Sequence, residues 1–166
     1  LHYYVEKNKT KGISRKGRYE YLKHVIRSCQ LINGSITSTM SHDQTYEFVC
    51  LGRNLERADM TTRVLEVRTR DLLPDLTNEL KPFDDIQWKS IMDSLAAYQM
   101  YRRHVRLRVK GSAVLGYLLQ DKQFPHSVGH CITEVENSLR SLTDNEACLR
   151  TLGRVQRQIF DADVTD

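Results

Sequence analysis

Three charged residues, Arg53, Glu56 and Arg57, interrupt the apolar pattern of Leu51-Gly52-Arg53-Asn54-Leu55-Glu56-Arg57-Ala58-Asp59. On a helix turning about 100° per residue from Leu51, they fall between about 140° and about 240°, beside or within a second apolar stripe. Charge in such a place demands a partner, because an isolated buried charge is very costly. Arg53 and Glu56 stand in i,i+3 register on one helix, and Arg102, Arg103 and Arg106 are further cations that can reach in from the next one. Two readings of the carboxylate stay open: an ion-pair lock that fixes helix register, and a ligand-binding or catalytic group.

Two other clusters invite chemistry. His126, His130 and Glu134 follow at intervals of four, a spacing that sets three potential metal ligands up one helix face. Measured from Val128, however, both histidines fall on the solvent side beside Asn137, so no metal and no cofactor is expected. The run Arg102-Arg103-His104-Val105-Arg106-Leu107-Arg108-Val109-Lys110 holds five cations that could grip phosphates. Beyond Tyr98 and Tyr101 it lacks aromatics for base stacking, and cations suit a helix C-terminus through the dipole alone, so the balance is against nucleic acid. The common phosphate-loop, dinucleotide, serine-hydrolase and zinc-protease signatures are absent, as are the Glu-x-x-His pairs of di-iron bundles. With no nucleophile and base adjacent in sequence, the balance leans against an enzyme.

The elements that must position these residues follow from apolar spacing. The 166 residues, 40% hydrophobic and 28% charged, are enough for one core and its polar surface. No proline occurs before Pro74. A first helix is expected over 18–40 on Leu22, Val25, Ile26, Cys29, Ile32, Ile36 and Met40. Ser41-His42-Asp43-Gln44 has the form of a capping box for a long helix reaching Leu73 before Pro74. Its faces are Phe48, Leu51, Leu55, Ala58, Thr62, Leu65 and Leu72 on one side and Val49, Met60, Val64 and Val67 on the other, the pattern of a central helix. Asp84-Asp85-Ile86-Gln87 caps another through Trp88, Ile91, Leu95 and Tyr98, ending by Gly111. Ser112 caps a shorter helix with Val114, Leu115, Leu118 and Leu119. Pro125 suits the first turn of a helix buried along Val128, Ile132, Val135, Leu139 and Leu142. Thr143-Asp144-Asn145-Glu146 caps the last, carrying Leu149, Leu152, Val155 and Ile159. The expected fold is all-α, an antiparallel bundle of about five to six helices around a long central helix.

Residues 1–17 form a basic N-terminal segment, 18–160 the single helical domain and 161–166 a tail. The first 40 residues carry eight Lys or Arg against Glu6 and Glu20, so the remainder is slightly acidic within a total of +4. That basic end offers an alternative role, binding nucleic acid or an acidic partner. The longest apolar run, about six residues from Val114, is far short of a membrane span. Cys29, Cys50, Cys131 and Cys148 are widely spaced without a C-x-x-C, which fits a reducing cytoplasm.

Met40-Ser41-His42-Asp43 through Leu65, Tyr98-Gln99-Met100-Tyr101-Arg102-Arg103, and Leu118-Leu119-Gln120-Asp121 with Phe124-Pro125-His126-Ser127-Val128 occur in that order. Together they resemble the bacterial alpha-E family, an all-helical domain with a Glu-Arg motif. Glu56 and Arg57 match the motif directly and Arg53 accompanies them. His126 and His130 depart from it, where the family commonly has Arg and an aromatic. The resemblance implies a tandem duplication of which this chain is the C-terminal copy, and so a piece of a longer protein. It also implies a role in peptide synthesis or modification beside ATP-grasp ligases, transglutaminase-like proteins and amino-terminal-nucleophile peptidases. On this reading Arg53, Glu56, Arg57, Arg102 and Arg103 line or support one polar site. An anionic peptide ligand, as carboxylate or acyl-phosphate, suits the guanidinium forks, and Glu56 orients them or meets a substrate amine. The alternative is an enzymatically inert scaffold whose Glu-Arg pair is structural.

Overall fold

Two compact units make up the chain, Leu1–His42 and Asp43–Asp166. The computed structural model describes residues 1–71, 84–105 and 108–164, with side chains at 68–71 left aside. All regular structure among them is helical, in eight helices. The expected link from Pro74 to Pro82, the end of the long helix at Leu72 and Leu73, and Arg106 lie outside the described residues.

The first unit is a pair of helices, α1 (His2–Ile13) and α2 (Arg18–Thr39). Helix α1 forms within the basic segment whose conformation the apolar pattern leaves open. Arg18 joins the two by donating from Nε to the Gly12 carbonyl (3.2 Å) and from Nη2 to the Ile13 carbonyl (3.0 Å), which satisfies the last turn of α1. The Tyr4 ring lies on those of His24, at 3.7 Å, and Tyr21, at 6.0 Å. Neither helix has a fully buried residue, and Leu22, Ile26 and Ile32 of the expected stripe are exposed. The face turned to α1 instead holds Tyr21, Val25 and Ser28, each half-buried.

The second unit contains α3 (Gln44–Asp71), α4 (Asp84–Ser94), α5 (Tyr98–His104), α6 (Gly111–Gln120), α7 (Val128–Arg140) and α8 (Glu146–Phe160). Helix α3 packs on α7, α7 on α6 and α8, and α6 on α4. The core consists of Leu65, Trp88, Met92, Ala97, Tyr101, Val114, Tyr117, Leu118 and Phe124. Gly129 lets α7 start hard against the end of α6, since a Cβ there would meet the Gln120 carbonyl at 3.1 Å and the Phe160 ring at 3.0 Å.

Several helix starts differ from their expected signals. Helix α3 is capped by Asp43, not Ser41: Asp43 Oδ1 accepts from the Thr45 and Tyr46 amides at 2.9 and 3.2 Å. Helix α6 begins at Gly111, so Ser112 lies inside it. Helix α7 begins after Pro125, where Ser127 Oγ accepts from the His130 amide at 3.0 Å. Helix α8 starts at Glu146 without a Thr143 box, because Asn145 Nδ2 instead ties the loop to the Leu139 and Leu142 carbonyls.

The single helix expected from Asp84 past Arg103 is broken at Ala96, which has φ 52°. The Ala97 amide donates to the Met92 carbonyl (2.7 Å) and the Ala96 amide to the Asp93 carbonyl (3.1 Å), a Schellman closure with alanine in the glycine position. A straight helix would aim Met92 and Tyr101, nine residues apart, to opposite sides. The break turns both into the core at 0% exposure.

A left-handed alanine costs about 1 to 2 kcal/mol, partly offset in glycine by its freer unfolded chain. Ala96→Gly should therefore stabilise the fold by about 0.5 to 1 kcal/mol, raising the thermal midpoint by about 1 to 4 °C. Calorimetry checks this, and a lowered midpoint would show that the strain is not stored at Ala96.

Candidate functional site

Along α3 the buried residues are Tyr46, Cys50, Leu51, Asn54, Thr61 and Leu65. Their spacing is helical, but the stripe is rotated from the expected one. Phe48 and Leu55 are exposed, as are Met60 and Val67 opposite, so α3 is not buried on two sides. The small side chains Cys50, Asn54 and Thr61 permit close approach of α7, which larger apolar groups at those positions would prevent. Their polar atoms find backbone partners: Asn54 Nδ2 donates to the Cys50 carbonyl (3.0 Å) and Thr61 Oγ1 to the His126 carbonyl (2.8 Å).

Arg57 falls between Asn54 and Thr61 on this same face, and Arg53 lies at its border one turn earlier; both are half-buried. Arg53 Nη2 approaches Cys50 Sγ at 3.4 Å, while its Nε is buried without a hydrogen-bond partner. Among the described residues the Arg57 guanidinium has no ion pair, and its charge is felt by His126 and Cys131 across the seam. Burial, and then Arg57, hold the His126 imidazole below its ordinary pKa. Burial pushes the Cys131 thiol up, opposed by Arg57 and by its own backbone hydrogen bond and reinforced by the Glu134 charge. With 0% exposure and Sγ directed to the Pro125 carbonyl at 3.4 Å, Cys131 is a packed thiol and not a nucleophile.

Glu56 is exposed and, among the described residues, makes no ion pair or hydrogen bond, so no Arg53–Glu56 pair is formed. Arg102 and Arg103 are exposed on α5, with Arg102 over the Tyr98 ring at 5.9 Å. Among the described residues no hydrogen bond or ion pair joins them to Arg53, Glu56 or Arg57. The structure thus places Arg57 on the seam near His126 and Cys131, with Arg53 one turn earlier at its border. Both histidines are half-buried, contrary to their expected solvent position, because the loop before α7 folds inward. Asp121 Oδ1 accepts from the Gln123 and Phe124 amides at 2.8 and 2.7 Å, Ser127 Oγ donates to the Asp121 carbonyl, and His130 Nδ1 lies 2.9 Å from the Lys122 carbonyl. Among the described residues no three His, Cys, Asp or Glu side chains are grouped to hold a metal.

Sequence reasoning overlooked Thr61, Asn54 and Ser127, all buried polar residues with structural hydrogen bonds. Their signal was available in the helical spacing of Cys50, Asn54, Arg57 and Thr61, hidden by counting only large apolar residues.

No helix among the described residues is long and apolar enough to cross a membrane. The model of the Alpha-E family, a predicted alpha-helical domain with a conserved ER motif, matches residues 2–166, and the chain belongs to that family. Comparison with curated proteins and with solved structures finds no match.

The lowered His126 pKa has a stability consequence. The unfolded chain takes up this proton more readily than the folded one, so stability is greatest above the unfolded value of about 6.5 and falls as the pH drops through it toward the folded pKa. Arg57→Gln should raise the His126 pKa in an NMR titration and flatten that loss below about pH 6.5. An unmoved titration would show that Arg57 does not act on this ring.

Proposed function

We propose that this Alpha-E domain is an accessory binding module of a bacterial peptide synthesis or modification system, working beside ATP-grasp-type ligases, and that its α3–α7 seam receives an anionic peptide group. One observation carries the reading: Arg53 keeps a buried Nε without a partner, one turn from a half-buried Arg57 that makes no ion pair among the described residues. An unsatisfied buried donor costs about 1 to 3 kcal/mol, and a guanidinium keeps its charge throughout the accessible pH range. Such a pair is best explained by an anion supplied from outside.

A peptide carboxylate or acyl-phosphate has the acceptor geometry that a guanidinium fork fits, and two forks one turn apart fix its orientation. The exposed Glu56 is free to meet a substrate amine, and Arg102 and Arg103 supply outer positive charge. A binding role accounts for the arginines without a nucleophile, which the buried Cys131 does not provide.

Titration of the protein with a short peptide acid and with the same peptide as its C-terminal amide tests this. The acid should bind more tightly, and Arg53→Gln or Arg57→Gln should each weaken it by about tenfold or more, the scale of one lost charge-assisted hydrogen bond at about 1.5 to 3 kcal/mol. Arg102→Ala should have a smaller effect that disappears with salt. Equal binding of acid and amide, or unchanged affinity in both seam variants, would remove the anion site.

A further inference from the structure

Helix α8 carries Arg150, Arg154 and Arg157 and has no acidic residue between Glu146 and Asp161. On a helix these three fall within about 60° of one another and climb about 10 Å, so they form a ladder up one face. All three are exposed, and with Ala147 and Thr151 they line an open cleft of about 500 Å³. Thr151 Oγ1 donates to the Ala147 carbonyl at 3.1 Å, so the floor of the cleft spends its one hydroxyl hydrogen inside the helix and leaves recognition to the guanidinium groups.

Such a ladder works against the helix that bears it. Arg150 with Arg154, and Arg154 with Arg157, are like-charged i,i+4 and i,i+3 pairs, which destabilise a helix. The helix dipole favours cations in the last turn, which holds Arg157 alone. The acid that α7 turns toward α8, Glu136, is engaged elsewhere, accepting from Gln156 at 2.6 Å and from Arg140. The carboxylate on the ladder is Glu146, whose Oε2 accepts from Arg150 Nη1 at 3.4 Å with both side chains largely exposed, a weak pair that yields readily. Among the described residues Arg154 and Arg157 make no ion pair. The helix thus supplies a carboxylate for the lowest rung and leaves the upper two open.

We propose that the α8 ladder docks an acidic peptide segment of a protein partner, whose carboxylates take the two open rungs and compete with Glu146 for the third. The guanidinium fork matches a carboxylate through two parallel hydrogen bonds, and rungs one turn apart set the order in which successive acids attach. None of the five residues lining the cleft is aromatic, so a base has nothing to stack on, which favours a run of carboxylates over single-stranded nucleic acid. The ladder shares no residue with the α3–α7 seam, and neither site depends on the other.

The test is ¹H–¹⁵N NMR of the full chain with octaglutamate, acetylated at its N-terminus and amidated at its C-terminus, as the probe. Saturable shifts are expected at the Ala147, Thr151, Arg154 and Arg157 amides, fading as salt rises from about 50 to 500 mM. The double variant Arg154→Gln, Arg157→Gln, changed only at exposed positions, should keep the folded spectrum and weaken the probe by roughly fivefold or more. Glu146→Gln, which frees Arg150, should tighten binding by about twofold, whereas Arg53→Gln should leave it unchanged. Unshifted α8 amides at millimolar probe, wild-type affinity in the double variant, or weaker binding in Glu146→Gln overturns the proposal. A thymidine octanucleotide that shifts the same amides at lower concentration than octaglutamate overturns it too, by assigning the ladder to phosphate.

Discussion

The antiparallel seam between α3 and α7 is where the second unit is decided. Thr61, in the C-terminal half of α3, donates to the His126 carbonyl just before α7, and with that contact in place the two helices run in opposite directions past Arg57 and Cys131. Helix α7 packs on α3 and buries Val128, Cys131, Ile132 and Val135, each at or below 7% exposure. Fully burying side chains of this kind stabilises by about 1.5 to 3 kcal/mol each, enough to fix one register. Helix α7 then carries the rest: Glu136 accepts from Gln156 of α8 at 2.6 Å and from Arg140, bonds that also hold its carboxyl below the usual pKa.

The same seam explains the position of the charges. A helix whose small residues invite close packing forces whatever lies between them toward the partner helix, and Arg57 lies between Asn54 and Thr61. Its long stem can cover apolar surface while the guanidinium stays near the rim. Arg53 is less well served, since its contact is a sulfur at 3.4 Å and its Nε faces no acceptor. Glu56, only one position from Arg57, is rotated out to solvent. The Glu-Arg motif thus divides into an inward cation and an outward anion, the opposite of a paired lock.

Much of the fold was legible in the sequence because apolar spacing reports which residues avoid water. The α7 stripe of Val128, Ile132 and Val135 and the α6 residues Val114 and Leu118 are buried as their spacing requires. The α3 face was misjudged because Phe48 and Leu55 are larger and more apolar than Cys50, Asn54 and Thr61, yet fit of shape decided the contact. Caps were displaced for a local reason. Ser, Thr, Asp and Asn crowd each junction, and the one that caps is set by where the chain turns. The break at Ala96 had no local signal, since alanine favours helix and only the core demands Met92 and Tyr101 together. Of the candidate site, Arg53 and Arg57 were visible as charges on an apolar face. That Arg53 Nε and the Arg57 guanidinium find no partner among the described residues was not, because pairing depends on tertiary distance.

The central claim is that Arg53 is kept at a cost to the fold, for something other than stability. The most direct measurement is the thermal midpoint of Arg53→Met, which keeps the packed stem and removes the unpaired group, beside Glu56→Gln as the control for its exposed neighbour. The account predicts a midpoint raised by about 2 to 4 °C in Arg53→Met, equivalent to roughly 1 kcal/mol, and little change in Glu56→Gln. A drop of several degrees in both variants would contradict it, by showing that Arg53 and Glu56 form a structural pair in solution.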